Sequence, residues 1–230
     1  MSYLVPAAGL ILMGDSITSG TIGSVGGGGT PYATLLAARY AIENRGIGAS
    51  TSGDWAANPL NTVNPSRKPV VVMLGTVDAS GFGHPGPTDP ADYLTNMDTL
   101  VTRAIADGAP YVVVMTPPPR GEGDASASEL DRLAAYRSAI FALCDDFPSV
   151  AARLGPDVNQ LLSPVEDFVP ADGTHPNAAG HAKIASALFE IFQLLPFGVV
   201  EANGSFGPAV SAGSAFESAA RGSASLSKVI

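Results

Sequence analysis

The sequence predicts an α/β fold in three layers, α/β/α, with helices over both faces of a parallel sheet. Three observations carry this. Short, wholly apolar runs recur at Leu10–Met13, Pro69–Leu74 and Tyr111–Met115, and their length and lack of alternation suit strands buried on both faces. Longer stretches with helical spacing of apolar residues separate these runs. Each run ends in a segment rich in glycine or proline, where a strand would leave a sheet.

With 230 residues, 46% hydrophobic and 14% charged, the chain is globular and long enough for one domain with a sizeable core. A net charge of −9 argues against nucleic acid as a partner and disfavours docking on anionic membranes. No run approaches the ~20 apolar residues of a membrane span. The N-terminus lacks the charged region and apolar segment of a signal peptide; secretion stays open, and no compartment is assigned. The single cysteine, Cys144, allows no internal disulfide and sits in an apolar helical pattern, as a buried, inert thiol does. His84, His175 and His181 are not spaced as metal ligands, and no Cys-x-x-Cys or His-Glu-x-x-His occurs, so neither a metal nor a cofactor is expected.

The first strand lies within Leu4–Met13. Residues 19–30, with Gly20, Gly23 and Gly26–Gly29, read as a flexible loop; no Gly-Lys-Ser/Thr follows, so it is not a phosphate loop. Pro31 opens a helical pattern through Tyr32, Leu35, Leu36, Arg39 and Tyr40, and Ala41–Asn44 is a short second strand. Trp55–Lys68 is polar and rich in Asn and Pro, a loop with at most one short helix. Pro69–Leu74 is the third strand. In the loop 80–90, Gly81-x-Gly83-x-x-Gly86 matches a dinucleotide fingerprint only formally, because Pro85 and Pro87 interrupt it; His84 there is a solvated residue or part of a substrate rim. Asp89-Pro90 caps a helix to about Ala106, Tyr111–Met115 is the fourth strand, and Arg120–Ser128 is a polar rim loop. Ser128 caps a helix to about Phe147 with a core stripe of Leu130, Leu133, Tyr136, Ile140 and Leu143. A fifth strand falls within Val150–Leu162. The last helix, about Asn177 to Leu194, buries Ala178, His181, Ile184, Ala185, Leu188 and Ile191; on that stripe His181 reads as structural. Residues 1–196 then form the domain. Residues 197–230, rich in Gly, Ser and Ala, form a tail or an arm through which an oligomer can assemble.

Chemistry concentrates in two places. Gly14-Asp15-Ser16-Ile17 puts a serine where the first strand leaves the sheet, at the carboxyl end where α/β proteins place ligands. Its hydroxyl is inert until a base takes the proton. Asp172-Gly173-Thr174-His175 offers that base, with a carboxylate three residues earlier that a short turn can bring to Nδ1. Taken singly, Ser16 and Asp172 each suit a helix cap. Together, after the first strand and before the last helix, they point to a triad of Ser16, His175 and Asp172. Asp15, Asp78 and Asn44 read as loop braces.

Gly14-Asp15-Ser16-Ile17 with Asp172-x-x-His175 resembles the SGNH (GDSL-type) hydrolase family, over roughly residues 5–195. The resemblance implies five strands in flavodoxin-like order and hydrolysis of a small ester through an acyl-serine, without cofactor or metal. It also implies an oxyanion hole made by the N–H of Ser16, a backbone N–H at Gly48 or Ala49, and an asparagine side chain in a third block, Gly-x-Asn-Asp. This chain reads Gly75-Thr76-Val77-Asp78, so Val77 stands in the asparagine's place. If that segment continues the strand, Thr76 points away from the site, and Asn58, Asn61 or a water is left to supply the donor. The open, Gly- and Pro-rich rims favour short acyl groups, such as acetyl on a sugar. The competing reading is a catalytically weak or inactive domain that binds carbohydrate or a protein partner. No Gly-x-Ser-x-Gly occurs, which separates the chain from the α/β-hydrolase elbow.

Overall fold

The computed structural model describes residues 9–20, 30–57, 68–121, 125–147, 152–170 and 172–194. Strands β1 (Leu10–Gly14), β2 (Ile42–Asn44), β3 (Val70–Met73), β4 (Val112–Val114) and β5 (Ala152–Leu154) form one sheet in the order β2-β1-β3-β4-β5. Every neighbouring pair is parallel. This is the flavodoxin-like order, with helices on both sides. From β2 the chain passes β1 to reach β3, so β1 and β3 flank the switch point where such sheets open a crevice at their carboxyl ends.

The helices are α1 (Ser16–Ser19), α2 (Tyr32–Ala37), α3 (Ser52–Ala57), α4 (Thr76–Ser80), α5 (Pro90–Ala106), α6 (Ala127–Asp146), α7 (Val158–Leu161) and α8 (Ala178–Leu194). Side chains alternate along a strand, so each strand feeds both faces. Ile11, Met13, Val70, Val72, Val112 and Val114 join Trp55 of α3, Tyr93 and Met97 of α5, and Leu133 and Ile140 of α6 in one buried cluster. Leu10, Leu12, Val71 and Val113 take the alternate positions and are also buried. Beyond the sheet, α2 and α8 meet through the stacked rings of Tyr32 and His181. The Tyr93 hydroxyl donates to the Leu74 carbonyl at 2.9 Å, which ties α5 to the end of β3.

Several local expectations change. Trp55 does not open a loop: it is 1% exposed, within α3. Thr51 and Asp54 form the reciprocal start of that helix, since Thr51 Oγ1 accepts from Asp54 N–H and Asp54 Oδ2 accepts from Thr51 N–H. The cap of α6 is Ser126, not Ser128, and the helix begins two residues earlier than expected. Leu130 is 48% exposed, and the inward position in that first turn is taken by Glu129, while Leu133, Tyr136, Ile140 and Leu143 are buried as expected. In α8, Ala178 is exposed and Phe192 is buried where Ile191 was expected to be. The chain divides into two compact units, Met1–Phe192 and Gln193–Ile230. The glycine-rich segment 21–29, the segment 58–67 with Asn58 and Asn61, and the tail 197–230 lie outside the described residues. Among the described residues no helix is long and apolar enough to cross a membrane.

Candidate active site

Ser16 owes its place to the end of β1. A Cβ on Gly14 would fall 2.1 Å from Thr18 Oγ1 and 2.5 Å from the Met73 carbonyl, so only glycine lets β1 turn there against β3. Asp15 is the cap of α1, its Oδ1 accepting from Ile17 N–H at 2.9 Å. Ser16 then opens α1 half-buried, at the carboxyl end of β1.

The turn before α8 delivers His175 to it. His175 Nε2 lies 2.9 Å from Ser16 Oγ, and Nδ1 lies 2.9 Å from Asp172 Oδ2. Asp172 Oδ1 accepts from the N–H groups of Thr174 and His175 at 2.7 and 2.8 Å, so the carboxylate both shapes the turn and meets the ring. Burial pushes Asp172 upward, but the N–H groups of His175 and Thr174, with the His175 ring, outweigh it and hold the carboxyl below its ordinary value. Because a carboxylate only accepts, Nδ1 carries the ring proton, which leaves Nε2 free to take one from Ser16.

The segment after β4 braces this turn, a role that local sequence could not display. Gly121 N–H donates to the Gly173 carbonyl at 2.7 Å, and Arg120 donates to Thr174 Oγ1. Arg120 Nε also stands 3.1 Å from Glu129 Oε1, a largely buried ion pair that is misaligned for a hydrogen bond. The backbones come so close that a Cβ on Gly121 would sit 2.7 Å from Gly173 Cα.

The loop after β2 runs along the other side. Arg45 N–H donates to the Leu12 carbonyl and Ile47 N–H to the Gly14 carbonyl, at 2.8 and 2.9 Å, which continues the sheet pairing past the strand. Asn44 braces the loop as expected: its Nδ2 donates to the Thr18 carbonyl and its Oδ1 accepts from Gly46 N–H. The left-handed residue is Ala49, at φ 59°, and among the described residues no other non-glycine has positive φ. That conformation costs an alanine roughly 1–2 kcal/mol. Gly48, the residue whose type suits such a turn, does not adopt it. The Ala49 carbonyl lies 2.9 Å from His84 Nε2.

Val77 and its neighbours are not strand. Gly75, at φ 126°, ends the chain's extended course, and Thr76–Ser80 is α4. The alternation argument that turned Thr76 away therefore does not apply. Thr76 is 3% exposed; its hydroxyl lies beside the Asp15 carboxyl but outside good hydrogen-bond geometry. Val77 is buried and offers no side-chain donor. Asp78 is a brace: its carboxylate accepts from Ser52 N–H and, at 2.6 Å, from Ser52 Oγ, while Asn96 Nδ2 donates to the same Oγ.

Burial moves several other groups. Asp15 rises from 3.8 to about 7, mainly by burial, with the Asp78 charge adding and the Ile17 N–H opposing. Burial also raises Asp78. His181 falls from 6.5 to about 4, by burial and then by proximity to His175. Its Nδ1 accepts from Tyr32 N–H at 3.3 Å, while among the described residues Nε2 has no hydrogen-bond partner. Cys144 is pushed up to about 12, mainly by burial, which keeps the thiol unreactive. Among the described residues no cluster of His, Cys, Asp and Glu could hold a metal ion.

A parallel sheet in this order, with Gly-Asp-Ser leaving β1 and Asp-x-x-His entering the last helix, defines a class. Residues 12–183 match the GDSL-like lipase/acylhydrolase family, and the chain belongs to it. Ester hydrolysis is the chemistry that this membership supports. Among solved structures, a catalytic mutant of Axe2, an acetylxylan esterase from Geobacillus stearothermophilus, is 19% identical, with 83% of this chain and 96% of that chain covered and a TM-score of 0.62. LAE5, an alpha/beta hydrolase enzyme from the metagenome of Lake Arreo, Spain, is 24% identical, with 83% and 97% covered and a TM-score of 0.61. No curated protein matches the chain in sequence.

Proposed function

We propose that this chain is a serine esterase that works through an acyl-serine intermediate. The observation that carries the reading is the hydrogen-bonded relay from Ser16 Oγ through His175 to Asp172, at 2.9 Å for each link. Ser16 Oγ attacks the ester carbonyl as His175 Nε2 takes its proton. Asp172 keeps the Nδ1–H tautomer and stabilises the imidazolium. His175 then protonates the departing alcohol, a water attacks the acyl-serine with His175 again as base, and the carboxylic acid leaves. The N–H groups of Ser16 and Ala49 receive the charge on the tetrahedral oxygen. Ala49 is preferred over Gly48 as donor because strain kept in a non-glycine residue tends to mark a functional site.

Short acyl groups, including acetyl on a sugar hydroxyl, are the favoured substrates. Support comes from the acetylxylan esterase among the structural neighbours, whose catalytic mutants alter a serine and an aspartate–histidine pair three residues apart. Val77 supports a slow enzyme, because the donor that the family resemblance places there is missing. Rapid mixing with p-nitrophenyl acetate tests the reading. It expects a burst of about one p-nitrophenol per chain, followed by slower steady turnover, and neither phase with Ser16→Ala. Turnover that survives Ser16→Ala undiminished would overturn it.

A further inference from the structure

His84 belongs to none of the groups given a chemical role above, yet it touches the most strained residue of the site. Its Nε2 lies 2.9 Å from the Ala49 carbonyl and 3.5 Å from Asp54 Oδ2. Both partners only accept, so Nε2 carries a proton and donates, with the carbonyl as the nearer acceptor. The segment that carries His84 is built as a stiff pedestal. His84 N–H donates to the Gly81 carbonyl at 3.0 Å, and Thr88 N–H donates to the Asp78 carbonyl at 2.8 Å. Gly81 and Gly83 take positive φ, and a Cβ on Gly81 would fall 2.6 Å from the Gly86 backbone. The loop 81–88 is thus closed on itself and anchored to α4.

Ile47–Ser50 is a hydrogen-bonded turn with Ala49 at its third position: Ser50 N–H donates to the Ile47 carbonyl at 3.3 Å, which holds the Ala49–Ser50 peptide from its N–H end. Ile47 N–H is fixed on the Gly14 carbonyl, Ser50 Oγ on the Ile47 carbonyl and the Trp55 indole, and Thr51 on Asp54. That turn bond is long, and Ala49 leaves the left-handed region once it opens and the Ala49–Ser50 peptide plane rotates. The hydrogen bond from His84 is the one contact at the Ala49 carbonyl that opposes this among the described residues.

We infer that His84 is a positioning residue for the oxyanion hole: by holding the Ala49 carbonyl it keeps Ala49 left-handed and so keeps the Ala49 N–H aimed at the reacting oxygen. This rests on the reading of Ser16 as nucleophile and Ala49 as donor. It makes no use of His84 as base or substrate contact.

Two substitutions of nearly equal shape separate a donor from its absence. His84→Gln retains an N–H that can reach a carbonyl, whereas His84→Met does not. Removing an oxyanion donor outright costs about 10²–10³ in turnover, so misaiming one is expected to cost about tenfold. With p-nitrophenyl acetate, His84→Met should lower kcat about tenfold with KM within about twofold of the parent, and His84→Gln should recover most of that loss. Thermal midpoints of both should lie close to the parent's, since the His84 side chain is part-exposed and is not in the buried core. Unchanged kcat in His84→Met, an equal loss in His84→Gln, or a rise in KM at constant kcat would overturn the inference. Ser16→Ala measured alongside separates the two failures. If it abolishes turnover while His84→Met is silent, only the role of His84 is lost; if Ser16→Ala is active, the underlying reading fails first.

Discussion

Asp15→Asn isolates a charge that the fold holds at a cost. Asp15 is 1% exposed and its Oδ1 caps α1, and an asparagine keeps that acceptor while removing the charge. The folded carboxyl titrates at about 7 against an ordinary 3.8. Between these values the folded chain keeps a proton that the unfolded chain has lost, so this group lowers stability as pH rises, until the full cost is reached above pH 7. From that shift the cost is about 4 kcal/mol at pH 8 and about 2 kcal/mol at pH 5. Burying an amide in place of a neutral carboxyl adds an offset, but that offset does not change with pH. Urea unfolding of parent and variant at the two pH values measures the difference. The advantage of Asp15→Asn should grow by about 2–3 kcal/mol from pH 5 to pH 8. An advantage that is the same at both values would show that Asp15 is not held protonated by burial, and the reasoning would fail.

The remaining expectations follow from neighbouring contacts. His181 has the opposite sign: its folded value of about 4 lies below the ordinary 6.5, so its contribution is intact above pH 6.5 and lost as pH falls toward 4. His181→Gln should remove about 3 kcal/mol of that acid sensitivity in urea unfolding at pH 7 against pH 4. Gly121→Ala should displace the triad turn, because its Cβ would press on Gly173; kcat for p-nitrophenyl acetate should fall at least tenfold, by the ~100-fold sensitivity of catalysis to ångström misplacement. Val77→Asn should raise kcat several-fold if the missing donor limits turnover, within the ~10²–10³ that one donor is worth; unchanged or lower kcat would show that Val77 serves the acyl pocket instead.

What the sequence made legible depended on burial. β1, β3 and β4 are central strands covered on both faces, so their apolar runs stand out. β2 and β5 lie at the sheet edges, and at three residues each they leave little pattern. The residue types of the triad were readable from their motifs. The contact between His175 and Ser16 spans 159 positions, and only the strand order brings it about. Arg120 gave no signal because its partners, Thr174 and Glu129, are set by tertiary packing. The sequence left Gly48 and Ala49 side by side, because residue type suggests a left-handed turn at the glycine, whereas the positive φ belongs to Ala49. The start of α3 was visible in Thr51-x-x-Asp54, a capping pattern overshadowed by the Asn- and Pro-rich stretch behind it. Leu130 alone left the stripe, because in the first turn of α6 the inward position, four residues before Leu133, falls to Glu129, which is held there by its ion pair with Arg120.

The central claim is that Ser16 is the nucleophile and His175 its base. Mass spectrometry after reaction with a fluorophosphonate tests it most directly, on the parent, Ser16→Ala and His175→Ala. The account predicts one adduct, on the peptide containing Ser16, absent from Ser16→Ala and formed far more slowly in His175→Ala. An adduct on Ser50 or Ser52, or labelling of Ser16 at the parent's rate in His175→Ala, would contradict it.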